Sequence, residues 1–498
     1  MKLTNEGLKD RAAWQEKGYS LPEYDRERII VNTKNNPIWI HFGAGNIFRA
    51  FQANVVEKLL NEKAMDTGLI VAEGYDYEII EKYNRPADNL SILATLKADG
   101  TVEKRVIGSI VESCILDEEN EKEINRLREI FRAPSLQMVS FTITEKGYKT
   151  RAYMNKVVGL ILERYKAGSL PVSIVSMDNC SHNGDKLKEA VLEIANEWVK
   201  EGKCEVGFVD YLNNPKLIAF PLSMIDKITP RPDDTVKQML MDDGVEGAEP
   251  LVTSKHTYVA NFVNAEETEY LVIEDLFPNG RPHLEKGGLI FTDRETVDKT
   301  EKMKVCTCLN PLHTALAIFG CLLGYKTIHD EMEDKDLKNL VTRLGKEEGM
   351  KVVVDPKVLS PEEFLDAVLT KRLPNPFMPD TPQRIACDTS QKLPIRFGET
   401  IKAYRSRPTL DTDNLEVIPV VLAGYLRYLE GVDDSGKAFE QSPDPLLDEL
   451  KALSGKDVLK RKDVFGVDLY DDNLAKKILE IYANMQKIGG VRKELEKL

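Results

Sequence analysis

Pro37-Ile-Trp-Ile-His-Phe-Gly-Ala-Gly-Asn-Ile-Phe-Arg49 is the stretch on which the fold reading turns. Residues 37–42 read as a short buried strand, and residues after 45 take up a helical pattern through Leu60. Between them, Gly43 permits a tight turn and Gly45 lets backbone N–H groups approach a pyrophosphate at the helix N-terminus. The third glycine of the usual fingerprint is replaced by Phe48. An ordinary βα turn would use the same two glycines, so the flanking strand and helix carry the dinucleotide reading, supported by Asn46 and by Arg49 one turn on.

Working outward, residues 69–72 form a second apolar strand that runs into Glu73, with Asp76 close behind. A carboxylate at that point binds ribose hydroxyls and repels a 2′-phosphate, which makes NAD the expected coenzyme rather than NADP. Residues 138–143 and 172–176 are two further strands. Leu187, Val191, Ile194 and Trp198 recur at helical spacing. Strands alternating with helices imply an α/β, Rossmann-type domain with a mainly parallel sheet. Residues 270–273 and 289–291 still read as strands. After about residue 295 the texture changes: 312–323, 361–369 and 415–428 have helical periodicity, and the last fifty residues are charged and helical in pattern. Residues 352–354 (Val-Val-Val) are the main strand candidate left. The expected organisation is a Rossmann-type domain over 1–295 and a mostly α-helical domain over 296–498.

Composition agrees with two domains, since 498 residues exceed what one core usually organises. A net charge of -14 argues against a nucleic-acid groove or an anionic membrane as partner, while leaving room for an anionic small substrate. No apolar run is read as approaching the roughly 18 residues that span a bilayer, and the N-terminus lacks a secretory apolar region. The seven cysteines (114, 180, 204, 306, 308, 321, 387) are odd in number and scattered, as expected of reduced thiols in a cytoplasmic protein. Cys306 and Cys308 lack the two-residue spacing of zinc or redox motifs, so no metal is expected.

Seven segments carry a resemblance. They are Ile40-His-Phe-Gly-Ala-Gly-Asn-Ile-Phe-Arg-Ala-Phe-Gln52, Phe141-Thr-Ile-Thr-Glu-Lys-Gly-Tyr148, Ser176-Met-Asp-Asn-Cys-Ser-His-Asn-Gly184, Met224-Ile-Asp-Lys-Ile-Thr-Pro230, Val272-Ile-Glu-Asp-Leu-Phe-Pro-Asn-Gly-Arg-Pro282, Leu309-Asn-Pro-Leu-His-Thr314 and Ser390-Gln-Lys-Leu-Pro394. In that order the chain resembles the polyol-specific long-chain dehydrogenases, the mannitol dehydrogenase family, which includes fructuronate and tagaturonate reductases. The resemblance implies a metal-free dehydrogenase in which a lysine acts as general base, within a pattern of lysine, four residues, asparagine, two residues, histidine. Asn310 and His313 match. Lys304 is the natural lysine, but five residues separate it from Asn310. On a regular helix that extra residue would turn Lys304 by about 100°. Pro311 lacks an N–H and disfavours α conformation at Asn310, which works against a continuous regular helix, and a π-bulge absorbs one inserted residue. Lys302 is the rival, about 12 Å from Asn310 along a helix axis.

Those residue types suit alcohol oxidation. A base takes the hydroxyl proton as hydride leaves, and amide donors stabilise the oxygen as it gains charge. The resemblance gives the donor role to Asn310 and Asn179, substrate orientation to His313 and a proton relay to Glu301. It places Thr144 with the coenzyme and Asp226, Arg384 and Lys392 with the substrate; Arg396 follows close by. Paired cations would hold a sugar carboxylate, which slightly favours a hexuronate reductase (D-mannonate/D-fructuronate or altronate/tagaturonate). The same positions serve neutral polyols such as mannitol in relatives. A non-catalytic NAD-binding sensor is the reading from another class.

Overall fold

The computed structural model describes residues 1–498. The chain divides into two compact units, Met1–Lys97 with Thr101–Val297, and Asp298–Leu498 with Ala98–Gly100.

The first unit is built on six strands: β1 (Trp39–Phe42), β2 (Leu69–Glu73), β3 (Ile110–Ile115), β4 (Met138–Phe141), β5 (Val172–Ser176) and β6 (Ile218–Ala219). They lie in the order β3-β2-β1-β4-β5-β6, every pair parallel. This is the doubly wound order of a Rossmann sheet, with the switch between β1 and β4. Successive side chains of a strand point to opposite faces. Trp39, Val71 and Met138 therefore pack with Val55 and Leu59 on one face. Ile40, Phe42, Ile70 and Val139 pack with Val157, Ile161 and Leu187 on the other. Both faces are covered, so these strands read as apolar runs instead of alternating.

The same unit holds further sheets, of whose strands the sequence reading anticipated only Tyr270–Glu274 and Ile290–Thr292. Ser91–Leu96 and Val102–Ile107 join Tyr19–Ser20 and Phe262–Glu266 in a four-stranded sheet. Ser223–Asp226, Tyr270–Glu274 and Ile290–Thr292 form a three-stranded sheet, and Leu251–Val252 pairs with Tyr258–Val259 in a hairpin.

The second unit is helical. Its central helix, Asn310–Leu323, packs on Val417–Leu429, all thirteen residues of which are buried. Residues 352–354 are not a strand, correcting the expectation; this unit offers no strand for them to pair with, so β propensity finds no ladder. A second correction concerns the 30-residue helical run Arg294–Leu323, which is long and apolar enough to cross a membrane by composition alone. In its most apolar window 78% of residues are buried in the protein, as in a core helix. Four π-helical turns mark the unit, Lys304–Cys308, Leu344–Gly349, Val368–Arg372 and Pro394–Gly398, and the first packs against both the second and the fourth.

Candidate active site

In the first unit, β1 delivers the glycine loop to the C-terminal end of the sheet. Gly43 has φ +107°, and a Cβ there would lie 2.6 Å from the Thr142 carbonyl oxygen, so only glycine fits. A Cβ on Gly45 would meet nothing within 4 Å, leaving space before the helix N-terminus. Beneath the loop, His41 places Nδ1 2.7 Å from Ser140 Oγ and Nε2 2.8 Å from Thr142 Oγ1. Burial pushes its imidazole down to about 3, so it stays neutral. Phe48 stacks on that ring at 4.2 Å and is fully buried, which corrects its assignment to the coenzyme: it fills the core where a third glycine would allow close packing. Arg49 is also turned inward. It donates to the Ala260 carbonyl at 2.8 Å and to Asn46 Oδ1 at 3.0 Å, so both side chains brace the loop.

The two acids after β2 separate by role. Glu73 accepts the N–H groups of Ala44 (2.9 Å), Tyr75 (2.8 Å) and Asp76 (3.2 Å), stapling the glycine loop to the end of β2. Asp76 accepts a 2.6 Å bond from Thr253 Oγ1 through Oδ2, while its buried Oδ1 has no partner. Asp76 lines an open pocket of about 500 Å³ together with Gly74, Tyr75, Tyr153, Ser254 and Lys255. The Tyr153 hydroxyl is likewise buried and without a partner. No feature of the sequence singled out Tyr153, because one tyrosine on an amphipathic helix looks like core. An open glycine turn and unsatisfied hydroxyl and carboxylate oxygens beyond β2 fit the pyrophosphate and ribose of a dinucleotide.

Asp178 follows β5 and accepts the N–H groups of Ile143 (3.2 Å) and Thr144 (2.7 Å) as well as the Tyr148 hydroxyl. Burial raises its carboxyl pKa. Thr144 is exposed in the left-handed region at φ +65°, its backbone fixed by that carboxylate. Asn183, part of an Asn-Gly pair that resembles a turn signal, instead donates to the Asp178 carbonyl at 2.9 Å and to the Ser223 carbonyl at 3.0 Å. It thereby fixes the bend that presents exposed Asn179. Asp226 ends the strand Ser223–Asp226 and is buried.

In the second unit, Lys304 is 4% exposed and opens the π-turn. The Leu309 N–H donates to the Lys304 carbonyl at 3.1 Å, and Asn310 then begins the next helix, with the His313 N–H on the Leu309 carbonyl. Asn310, His313 and Glu301 are half-buried, whereas the rival Lys302 is exposed. The two cations expected to meet the substrate are engaged by protein groups. Arg384 is 63% exposed and ion-paired with Asp380. Lys392 donates to the carbonyls of Ile385 (3.0 Å) and Cys387, closing the short helix Pro382–Ile385. Arg396 bonds the Thr314 hydroxyl, one residue beyond His313.

Two family models match this chain: the mannitol dehydrogenase Rossmann domain over residues 37–286 and the mannitol dehydrogenase C-terminal domain over residues 296–486. The chain belongs to the mannitol dehydrogenase family. Within that family it is 51% identical to the D-mannonate oxidoreductase of Thermotoga maritima, across 100% of this chain and 99% of that protein. It is 29% identical to a mannitol 2-dehydrogenase of Pyrenophora tritici-repentis, covering 91% of this chain and 79% of the relative. Among solved structures, D-sorbitol dehydrogenase in substrate-free form superposes with a TM-score of 0.80 at 25% identity, over 96% of this chain and 97% of the other. Family membership agrees with a Rossmann sheet followed by a helical unit.

Proposed function

We propose that this protein is an NAD-dependent hexuronate reductase that interconverts D-mannonate and D-fructuronate, with Lys304 as general base and no metal. The observation that carries the mechanism is the π-turn at Lys304. A π-turn spans five residues where an α-turn spans four, so it takes up the extra residue between Lys304 and Asn310 and brings the segment back towards the family register. Substrate class rests on the 51% identity to a D-mannonate oxidoreductase, against 29% to a mannitol 2-dehydrogenase.

In this reading Asp76 accepts a ribose hydroxyl, Glu73 keeps the glycine loop in place, and Tyr153 lies on the same pocket. Bound NAD supplies the hydride acceptor. Lys304 removes the alcohol proton, Asn310 donates to the oxygen as charge develops, His313 orients the substrate and Glu301 passes the proton to solvent. In the reductive direction Lys304 returns the proton.

Purified protein supplied with NADH should reduce D-fructuronate with a kcat/KM well above that for D-fructose. A preference for fructose would establish the neutral polyol reading instead. Absence of turnover with either sugar, together with NADH binding, would leave the sensor reading.

A further inference from the structure

The helical unit concentrates three cations within residues 384–396, and two are spent on protein groups. Arg384 pairs with Asp380, and Lys392 is tied to backbone carbonyls. Arg396 differs. It is half-buried, its only hydrogen bond goes to the neutral Thr314 hydroxyl, and no carboxylate lies within ion-pair distance. Burial pushes its guanidinium down to about 10, which leaves it charged at neutral pH. Its charge also bears on Lys392, whose pKa is lowered first by burial and then by Arg396. A desolvated cation without a counter-ion is costly and is usually compensated by an anion, from the protein or from a ligand.

The backbone holds Arg396 in this state. It lies in the π-turn Pro394–Gly398, which packs against the π-turn opened by Lys304. On another side the turn sits close to the helix Lys462–Phe465, where Gly398 is required because a Cβ there would stand 2.2 Å from the Phe465 carbonyl oxygen. Thr314, the partner of Arg396, follows His313 on the helix that Asn310 begins. The guanidinium is therefore anchored by one N–H to the helix that carries two candidate site residues, and its remaining N–H groups have no protein acceptor.

We infer that Arg396 reads the substrate's carboxylate and so sets the preference for a sugar acid over a neutral polyol. A planar guanidinium with free donors binds a carboxylate in bidentate fashion, whereas a neutral hydroxymethyl group offers it no charge. This inference rests on the proposed hexuronate reductase activity and names the residue behind its substrate class.

The test is steady-state kinetics with D-mannonate and NAD on wild type, Arg396→Gln and Arg396→Lys, accompanied by NADH titration and thermal melting. Arg396→Gln should raise KM for D-mannonate about 30- to 100-fold while kcat stays within about threefold. NADH affinity and melting temperature should hold. Arg396→Lys keeps the charge but loses the fork, so a KM rise of about tenfold is expected. That variant also decides the matter if the glutamine protein does not fold. Unchanged KM in the folded variants, or a fall in kcat without a rise in KM, would overturn the assignment. A wild-type protein that turns over neither D-mannonate nor D-fructuronate refutes the proposed function itself, a separable result.

Discussion

The Leu309 N–H reaches back five residues to the Lys304 carbonyl at 3.1 Å, closing a π-turn between the candidate base and Asn310. A regular α-helix would have swung Lys304 about 100° away from the face defined by Asn310 and His313. Local backbone geometry thus offsets a one-residue departure from the family spacing. Lys304→Ala should lower kcat for D-mannonate oxidation by at least about 100-fold, the usual contribution of a positioned base. NADH binding, followed by its fluorescence, should survive, and a chelator should leave wild-type activity unchanged. Near-normal turnover in the alanine variant would send the search for the base elsewhere.

Asp76 and Glu73 make opposite predictions about coenzyme choice. Glu73 already accepts three backbone N–H groups, whereas Asp76 Oδ1 is buried without a donor. Wild type should use NADH in preference to NADPH. Asp76→Ser should weaken NADH binding about tenfold, the size of one hydrogen bond to a charged acceptor, and improve NADPH by removing a repulsive charge. If the ratio of the two coenzymes does not move, the ribose acceptor is not Asp76.

His41 links the loop to pH. Its folded pKa of about 3 lies below the ordinary 6.5. Between those values the unfolded chain binds a proton that the folded chain does not, so stability falls as pH drops through that window. The limiting slope for one such group is about 1.4 kcal/mol per pH unit. Urea unfolding of wild type from pH 7 to 4 should show a steeper loss than His41→Gln, which has no proton to gain. Parallel profiles would show that other groups govern acid lability.

How much of this was legible in the sequence depends on how local each cause is. β1, the glycine loop and β2 could be read directly, because apolar runs and glycines report on their own backbone. Ser91–Leu96 and Val102–Ile107 were missed: they form a hairpin, but its outer edges are completed by Phe262–Glu266 and Tyr19–Ser20, both distant in sequence. Among site residues, the π-turn at Lys304 followed from counting residues between Lys304 and Asn310. Phe48, Arg384 and Lys392 were placed by motif position alone; their partners (His41, Asp380 and two backbone carbonyls) lie within seven residues in sequence, but motif matching does not report which near neighbour a side chain takes. Tyr153 and Thr253 gave no signal for a different reason: each matters only because the fold brings it beside Asp76 from far along the chain.

Arg164 shows what supports the sheet that presents this site. On the helix Arg151–Lys166, its buried guanidinium donates to five backbone carbonyls: Phe131 (2.7 Å), Ala133 (2.9 Å), Leu136 (3.0 Å), Leu170 (3.1 Å) and Pro171 (2.6 Å). The first three precede β4 and the last two precede β5, so one side chain fixes the entry to both strands. Burial pushes its pKa down to about 10, and at neutral pH it remains a cation satisfied entirely by carbonyl dipoles. Arg164→Met would leave those acceptors without their donor in a dry environment, at a cost of about 3–5 kcal/mol. Arg164→Lys, with three donors and no fork, should fall between the two. Urea midpoints should therefore rank wild type above lysine above methionine. Under native conditions kcat and NADH affinity should be unaffected, because Arg164 contacts none of the candidate site residues. Equal midpoints for wild type and Arg164→Met would show that these carbonyls are satisfied without the guanidinium.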